Sequence, residues 1–199
     1  MDFNGRGPWP IVIADRDLLL KPLRYRDKAA WESVRNRNRE WLDPWEATRP
    51  LIEGRPDSAL ALPSYFHMVR QYAAEARAMR SISLGMWSTE SGRPIFMGQV
   101  TLGGIVFGAM RGAHIGYWID QKYAGRGLTT RAVIAMTEYG FSELDLHRIE
   151  INLRPENAAS EKVAQKAGYI FEGTRYRYLH INGDWRDHLT YIKENPAIK

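Results

Sequence analysis

The sequence predicts an α+β fold, a mixed and mostly antiparallel sheet of about seven strands flanked by about four helices. Two observations predict this class: strands without intervening helices occupy the middle of the chain, and strands alternate with helices after them. A third is the junction at residues 114–130, where an alternating strand meets a Gly-x-Gly turn and a helical pattern follows. The predicted order is β-α-α-β-β-β-α-β-α-β-β.

The first third of the chain supplies one predicted strand and two helices. The apolar run at residues 18–23 predicts the strand. Asp27 is placed to cap a helix that ends before Pro44, and Ser64 to cap a second, because such side chains accept hydrogen bonds from helix N–H groups. Residues 46–63 carry three prolines and little periodicity, which indicates a long loop.

Six further strands are predicted by their alternating patterns. They cover residues 81–88, 95–102, 114–120, 148–153, 169–181 and 184–193. The Gly-rich residues 103–112 are expected to join two of them, and the pair Asn182-Gly183 is typical of a tight hairpin turn. Asn157 is placed to cap the last helix, which Gly168 ends.

The composition indicates one domain of 199 residues with a full core, at 44% hydrophobic and 26% charged residues. No apolar run approaches the ~20 residues of a membrane span, and the first residues lack a signal-peptide pattern. The absence of cysteine excludes disulfides and fits a cytoplasmic protein. Histidines and carboxylates show no metal-ligand spacing, and the net charge of +5 favours an anionic ligand or partner.

The turn Gly125-Arg126-Gly127 is a candidate anion site. A strand that feeds a tight turn and opens a helix directs several unpaired N–H groups at one point, with the positive end of the helix dipole behind them. Such a turn suits a phosphate or pyrophosphate, but most Gly-x-Gly sequences are only tight turns. Both interpretations stay open at this point.

Four stretches of the chain, taken in order, resemble the GNAT superfamily of N-acetyltransferases, and the resemblance covers nearly the whole sequence. They are residues 38–46, 124–129, 155–160 and 182–188. The superfamily's acetyl-CoA motif is Gln/Arg-x-x-Gly-x-Gly/Ala; here Ala124 replaces Gln/Arg and Thr129 replaces the last small residue. Within the superfamily the stretches are most similar to the RimJ/RimL group, which acetylates ribosomal-protein N-termini.

The resemblance implies an acetyl-CoA-dependent N-acetyltransferase domain at residues 15–194, after an N-terminal extension at 1–14. The implied acceptor is a primary amine, first the N-terminal α-amine of a (ribosomal) protein. A polyamine, aminoglycoside or amino-acid acetyltransferase is an alternative, as is a non-catalytic, ribosome-associated acetyl-CoA-binding factor. The departures at Ala124 and Ala164 keep the second alternative open. We expect a cytoplasmic monomer or homodimer without membrane contact that meets nucleic acid only through the ribosome.

The resemblance also implies which residues bind the coenzyme. They are Trp118, Ile119, Ala124, Gly125, Arg126, Gly127, Leu128, Thr129 and Asn157. The N–H groups of the Gly-x-Gly turn hold the pyrophosphate, and the Arg126 side chain adds charge. The backbone of Trp118 and Ile119 pairs with the pantetheine arm. Asn157 reaches a pantetheine amide, or else only caps its helix.

Ser160 is the catalytic residue that the resemblance implies. Many superfamily members place a tyrosine seven residues after the asparagine to donate to the leaving thiolate, but this chain has Ala164 there. Ser160 matches a serine of the RimJ/RimL group and would donate instead. The alternative is that its hydroxyl only bonds the helix backbone.

The acceptor side is expected to use Trp45, Glu46 and Tyr117, whereas helical spacing predicts Trp41 in the core. No general base stands out: His114, Glu46 and Glu150 are candidates, with structural roles as the alternative. An α-amine, with a pKa of about 7.7–8.0, needs less help from a base than lysine at about 10.4. This favours an N-terminal amine as the acceptor.

Overall fold

The computed structural model describes residues 9–52 and 63–198. Most of the predicted N-terminal extension and most of the predicted 46–63 loop therefore lie outside the described residues. Within the described residues, eight strands form one mixed sheet with helices on both faces. No helix in this part of the chain has the length and hydropathy of a membrane span.

The elements are numbered in chain order. The strands are β1 (Ile13–Asp15), β2 (Leu18–Lys21), β3 (Ile82–Ser88), β4 (Ile95–Val106), β5 (Gly112–Ile119), β6 (Arg148–Leu153), β7 (Ile170–Ile181) and β8 (Asp184–Glu194). The helices are α1 (Lys28–Arg37), α2 (Arg39–Leu42), α3 (Tyr65–Arg77), α4 (Leu128–Ser142) and α5 (Ala158–Lys166). Short 3-10 helices cover Tyr25–Asp27, Asp43–Trp45 and Gln121–Tyr123.

The sheet has the strand order β1-β2-β3-β4-β5-β6-β8-β7, and the neighbouring strands β5 and β6 are parallel. Every other neighbouring pair is antiparallel. Parallel neighbours need a crossover, which α4 supplies. β5 and β6 pair only where Gly112–His114 faces Arg148–Glu150. Beyond His114 the two strands have no further paired residues, and the edge of β5 is open.

Two apolar clusters hold helices to opposite faces of the sheet. On one face, Ala132, Val133 and Met136 of α4 are fully buried in the larger cluster. On the other, Val34 of α1 and Val69 of α3 are buried in a smaller cluster with Trp87, Phe96 and the partly buried Trp118. The two helix layers therefore meet the open edge of β5 from opposite sides.

The structure confirms the predicted class and element order and adds two elements. Ile13–Asp15 form an additional strand because a turn at Arg16, with φ of 53°, folds them back onto β2. The helix predicted to run to Pro44 breaks at Asn38, so α2 is separate from α1. The Gly-rich connection is also shorter than predicted, since β4 continues to Val106 through an irregular register.

Candidate active site

The open edge of β5 presents backbone groups of two residues. Asp120 N–H donates to the Met97 carbonyl oxygen of β4 at 2.7 Å, so Asp120 and Met97 form a hydrogen-bonded pair of the ladder. Bonded and non-bonded pairs alternate in an antiparallel ladder. The backbone groups of Trp118 therefore face β4, while those of Tyr117 and Ile119 face the open edge. The predicted cofactor role of Trp118 stays a prediction, and alternation favours Tyr117 over it for backbone pairing.

A cleft of about 540 Å³ lies along this edge. It is lined by Trp41, Leu42, Trp45, Tyr117, Trp118, Ile119, Tyr123, Ala124, Gly125, Gly127, Leu128, Thr129, Thr130, Glu156, Asn157, Ala158, Ala159, Ser160, Lys162, Val163 and Lys166. Three sequence-distant segments thus meet: α2 with the 3-10 helix after it, β5 with its following turn and the start of α4, and α5. The cleft gathers every residue predicted to bind coenzyme or substrate or to act on the leaving sulfur, except Arg126 and Glu46.

The turn after β5 exposes the start of α4 to this cleft. Gly125 and Gly127 both have φ of +77°, a left-handed conformation that side chains disfavour. Gly127 is the N-cap of α4. Because glycine has no side chain, the first N–H groups of α4 have no capping side chain. Arg126 lies outside the lining, with its guanidinium 5.3 Å from the centre of the Tyr123 ring. The turn therefore has the backbone geometry that suits an anion, with one cation beside it, and its predicted binding of pyrophosphate stays a prediction.

Asn157 and Ser160 lie opposite this turn, at the start of α5. Asn157 Oδ1 accepts a hydrogen bond from Ser160 N–H at 3.0 Å, which confirms that Asn157 caps its helix. Ser160 Oγ is 2.8 Å from the Tyr117 hydroxyl. Burial raises the pKa of Tyr117 to about 12, although the Ser160 contact acts in the opposite direction. The predicted roles of these residues toward coenzyme and substrate stay predictions.

Aromatic side chains form the wall opposite α5. Trp41 was predicted in the core, but it lines the cleft and its Nε1 donates to the Ile119 carbonyl oxygen at 3.2 Å. The break at Asn38 gives α2 its own direction, so spacing counted from α1 places Trp41 wrongly. Trp45 stacks against Arg154, with the guanidinium 5.4 Å from the ring centre. Arg154 Nη1 also donates to the Pro44 carbonyl oxygen at 2.9 Å.

Glu46 lies beside this wall without lining the cleft. Its carboxylate forms an ion pair with Arg35, and its carbonyl oxygen accepts from Asn182 N–H at 2.9 Å. Thr48 N–H donates to the His180 carbonyl oxygen at 2.9 Å, so this short segment is held to the β7–β8 hairpin. The predicted role of Glu46 in holding substrate stays a prediction.

A buried junction joins the aromatic wall to the Gly125–Gly127 turn. Asn38 Nδ2 donates to the Val34 carbonyl and to Asp120 Oδ1, both at 2.8 Å, and its Oδ1 accepts from Gln121 N–H at 2.9 Å. Asp120 is 2% exposed. Burial raises the pKa of this carboxyl, but hydrogen bonds from Arg37, Asn38 and the Lys122 N–H outweigh burial and lower it overall. The carboxylate thus stays charged at the end of β5.

The places of several residues in or beside the cleft were not predicted from the sequence. Lys162 and Lys166 line the cleft from one face of α5. Their spacing of four residues in a helix with a predicted N-cap indicates that they share this face, so the pair could have been found from the sequence. Asn38, Asp120 and Arg154 gave no local signal, since their partners lie far away in sequence.

Two of the three candidate bases, Glu150 and His114, lie outside the cleft. Glu150 is buried, with Arg148 Nη2 at 2.9 Å and Arg175 Nη2 at 2.8 Å. Burial lowers the pKa of His114, against an opposing effect of Glu150. Neither residue lines the cleft. Among the described residues, no group of three or more His, Asp or Glu side chains is placed to hold a metal ion.

The sequence matches the acetyltransferase (GNAT) domain family over residues 17–170. It is 29% identical to the [ribosomal protein uS5]-alanine N-acetyltransferase of Escherichia coli over 200 residues, which cover 98% of this chain and 96% of that one.

Two solved structures are similar throughout. RimJ of Mycobacterium smegmatis, in complex with CoA-disulfide, superimposes with a TM-score of 0.80 at 34% identity, covering 94% of this chain and 88% of that one. The ribosomal-protein-S5-alanine acetyltransferase of Vibrio fischeri gives a TM-score of 0.79 at 25% identity, covering 95% and 99%. These similarities confirm the predicted fold and enzyme class: the chain belongs to the GNAT superfamily of acetyltransferases.

Proposed function

We propose that this protein transfers the acetyl group of acetyl-CoA to the N-terminal α-amine of a protein, with a ribosomal protein as the acceptor and the cytoplasm as its site of action. One observation carries the proposal. The open edge of β5 and the N–H groups of the turn at Gly125–Gly127 border the same cleft. Relatives named for ribosomal-protein alanine acetylation, at 29% and 25% identity, support the acceptor.

The cleft has groups suited to the pyrophosphate and to the pantetheine arm of acetyl-CoA. The N–H groups at the start of α4 suit the pyrophosphate. The backbone groups of Tyr117 and the N–H of Ile119, which face the open edge of β5, suit the amides of the pantetheine arm, which would pair with them as an added strand does. Lys162 and Lys166 give positive charge to the groove between α4 and α5. The residues present therefore fit this co-substrate.

The same residues support thioester aminolysis. A backbone N–H on the open edge of β5 would polarise the thioester carbonyl, in the manner of an oxyanion hole. The Ser160 hydroxyl would donate to the leaving sulfur. Trp41 and Trp45 line the cleft with apolar surface, which limits water around the reacting groups.

The acceptor side favours an α-amine over a small polycation. Among the described residues that line the cleft, Glu156 is the one acidic residue, and Arg154 Nε bonds its carboxylate at 3.2 Å. The described lining contains no histidine that could act as a base. With a pKa of about 7.7–8.0, roughly a third of an α-amine is already neutral at pH 7.5, whereas well under about 1% of a lysine is. An acceptor that supplies its own neutral amine suits this cleft.

The proposal is tested by release of free thiol from acetyl-CoA with peptides that begin with Ala, Ser or Met. We expect turnover with at least one of them and none with the same peptide blocked at its N-terminus. Mass spectrometry should locate the transferred acetyl group on the α-nitrogen. kcat/KM should rise with pH up to about 8 and then level, as the α-amine titrates. Isolated ribosomal proteins as acceptors then test the finer assignment.

Two results would contradict the proposal. Turnover with spermidine or an aminoglycoside but with no peptide would identify a small-amine acetyltransferase. Tight CoA binding without turnover of any amine would identify a binding factor.

A further inference from the structure

Tyr117 and Ser160 form a hydroxyl pair in the wall of the cleft. The Tyr117 hydroxyl lies 2.8 Å from Ser160 Oγ and 3.2 Å from the Ser160 carbonyl oxygen. The Ser160 N–H is bonded to Asn157, so the helix start that carries the serine is fixed. β5 holds the tyrosine and α5 the serine, and both residues line the cleft.

Two hydroxyl hydrogens are shared among three oxygens in this pair, since each hydroxyl donates one hydrogen and also accepts. In one arrangement Ser160 donates to the Tyr117 oxygen, and Tyr117 donates to the Ser160 carbonyl. In the other, Tyr117 donates to Ser160 Oγ, and the serine hydrogen points into the cleft. Rotation of two O–H bonds interconverts them, and the heavy atoms stay in place.

The tyrosine keeps its hydrogen under the conditions in which the enzyme works. Burial raises the pKa of Tyr117 to about 12, so the phenol is neutral at physiological pH. It is therefore always available as a donor. A donor bonded to Ser160 Oγ also strengthens the bond that the serine itself donates, because hydrogen bonds in a chain polarise one another.

We propose that Tyr117 is a positioning residue that turns the Ser160 hydroxyl toward the sulfur of the thioester as negative charge develops there. This inference rests on the proposed function. Before reaction the pair satisfies itself by the first arrangement. Charge on the sulfur favours the second, in which Ser160 binds the sulfur and Tyr117 supports Ser160. Each hydroxyl keeps its own hydrogen, so the pair supplies hydrogen bonds and no net proton.

The substitution Tyr117→Phe tests this role, because it keeps the ring and removes the hydroxyl. Ser160 then loses its donor, and its own hydrogen can turn to a backbone carbonyl oxygen three or four residues earlier. We expect kcat to fall about tenfold, the scale of one lost charge-assisted hydrogen bond, with little change in KM for acetyl-CoA. The double variant Tyr117→Phe/Ser160→Ala should be no slower than Ser160→Ala alone.

Tyr169→Phe is the matched control. The Tyr169 hydroxyl is also buried and bonds another hydroxyl, Thr137 Oγ1, at 2.6 Å, but Tyr169 does not line the cleft. It should lower the melting temperature as Tyr117→Phe does and leave kcat unchanged. Equal losses of kcat in both variants would show that Tyr117 acts only through stability.

A second measurement is the pKa of the thiol of bound CoA, followed by the ultraviolet absorbance of its thiolate. Binding to the wild type should lower this pKa below that of a free thiol, about 8.5. Tyr117→Phe should raise it again, and Tyr169→Phe should not. Two results would overturn this inference and leave the proposed function intact. One is a Tyr117→Phe enzyme with the kcat and the thiol pKa of the wild type; the other is a double variant in which the effects of Tyr117→Phe and Ser160→Ala on kcat simply add. A wild type that neither binds CoA nor releases thiol counts against the proposed function instead.

Discussion

The two ends of the cleft are built in different ways. At the end that we propose for the coenzyme (the coenzyme end), Gly125 and Gly127 take left-handed conformations, and the groups available for binding are backbone N–H groups of the same short segment. At the end that we propose for the acceptor (the acceptor end), Trp41 donates a hydrogen bond to β5, Trp45 stacks on Arg154 directly after β6, and Thr48 bonds the β7–β8 hairpin.

This difference sets how each end responds to change. The coenzyme end depends on local conformation, so one substitution in the turn should abolish it without affecting its surroundings. The acceptor end depends on contacts between distant segments, so a single substitution should weaken it by a smaller amount. The Asn38–Asp120 junction lies between the two ends and should affect both.

The largest effect is expected from Gly127→Val. A β-branched residue is strained at φ of +77°, by at least about 1–2 kcal/mol, and relief of that strain turns the N–H groups away from the cleft. Loss of two charge-assisted hydrogen bonds, about 3 kcal/mol together, should weaken CoA binding about 100-fold by calorimetry.

Gly92→Val separates strain from binding. Gly92 has φ of +76°, and a side chain there meets open space, as at Gly127, but it lies in the turn between β3 and β4. Both substitutions should lower the melting temperature by a similar amount, and Gly92→Val should bind CoA with the affinity of the wild type. If Gly127→Val binds CoA as the wild type does, the turn does not hold the coenzyme.

An intermediate effect is expected from Asn38→Ala. The Asp120 carboxylate and the Gln121 N–H both lose a buried partner, which should cost about 2–3 kcal/mol of unfolding free energy. Because the junction joins the aromatic wall to the Gly125–Gly127 turn, KM should rise for acetyl-CoA and for peptide alike.

Asn195→Ala is the control for that experiment. Asn195 is also buried; its Nδ2 donates to the carbonyls of Leu146 at 3.1 Å and Phe141 at 3.3 Å, and its Oδ1 accepts from Ala197 N–H at 3.0 Å. It should be destabilising to a similar degree, with unchanged KM values. Equal KM changes in both variants would mean that the junction acts only through general stability.

The smallest effect is expected from Arg154→Ala. Trp45 loses its stacked cation and Pro44 its hydrogen bond, a change on the scale of about 1 kcal/mol, so KM for peptide should rise about fivefold. CoA affinity should stay the same. Lys21→Ala removes a comparable stack, 4.3 Å above Trp87 and away from the cleft, and should leave both constants unchanged. A loss of CoA affinity in Arg154→Ala would contradict the separation of the two ends.

Features that depend on near neighbours could be predicted from the sequence. Ser64 and Asn157 accept hydrogen bonds from backbone N–H groups three residues later, as caps do, and the strand–turn–helix junction at the glycines has the expected form. Asp27 takes the N-cap position of α1, but its carboxylate bonds the N–H of Arg24 rather than the helix, because a 3-10 turn precedes α1.

Features that depend on distant partners could not be predicted. Asn38 ends α1 because its side chain bonds Asp120, 82 residues later, and nothing near Asn38 indicates this. Trp41 was misplaced for the same reason, since periodicity assumes an unbroken helix. Glu46 forms an ion pair with Arg35 and also lies beside the cleft. The sequence alone does not decide between a structural role in that ion pair and a role in binding substrate.

Ala164 restricts how this enzyme could change its chemistry over evolution. It is 0% exposed, one helical turn after Ser160. A tyrosine at this position, the donor that many superfamily members use, would have to displace packed neighbours, at a cost of about 1–3 kcal/mol or more. In this chain, moving the donor from Ser160 to a tyrosine at position 164 would therefore require compensating substitutions around α5 before the new phenol could reach the cleft.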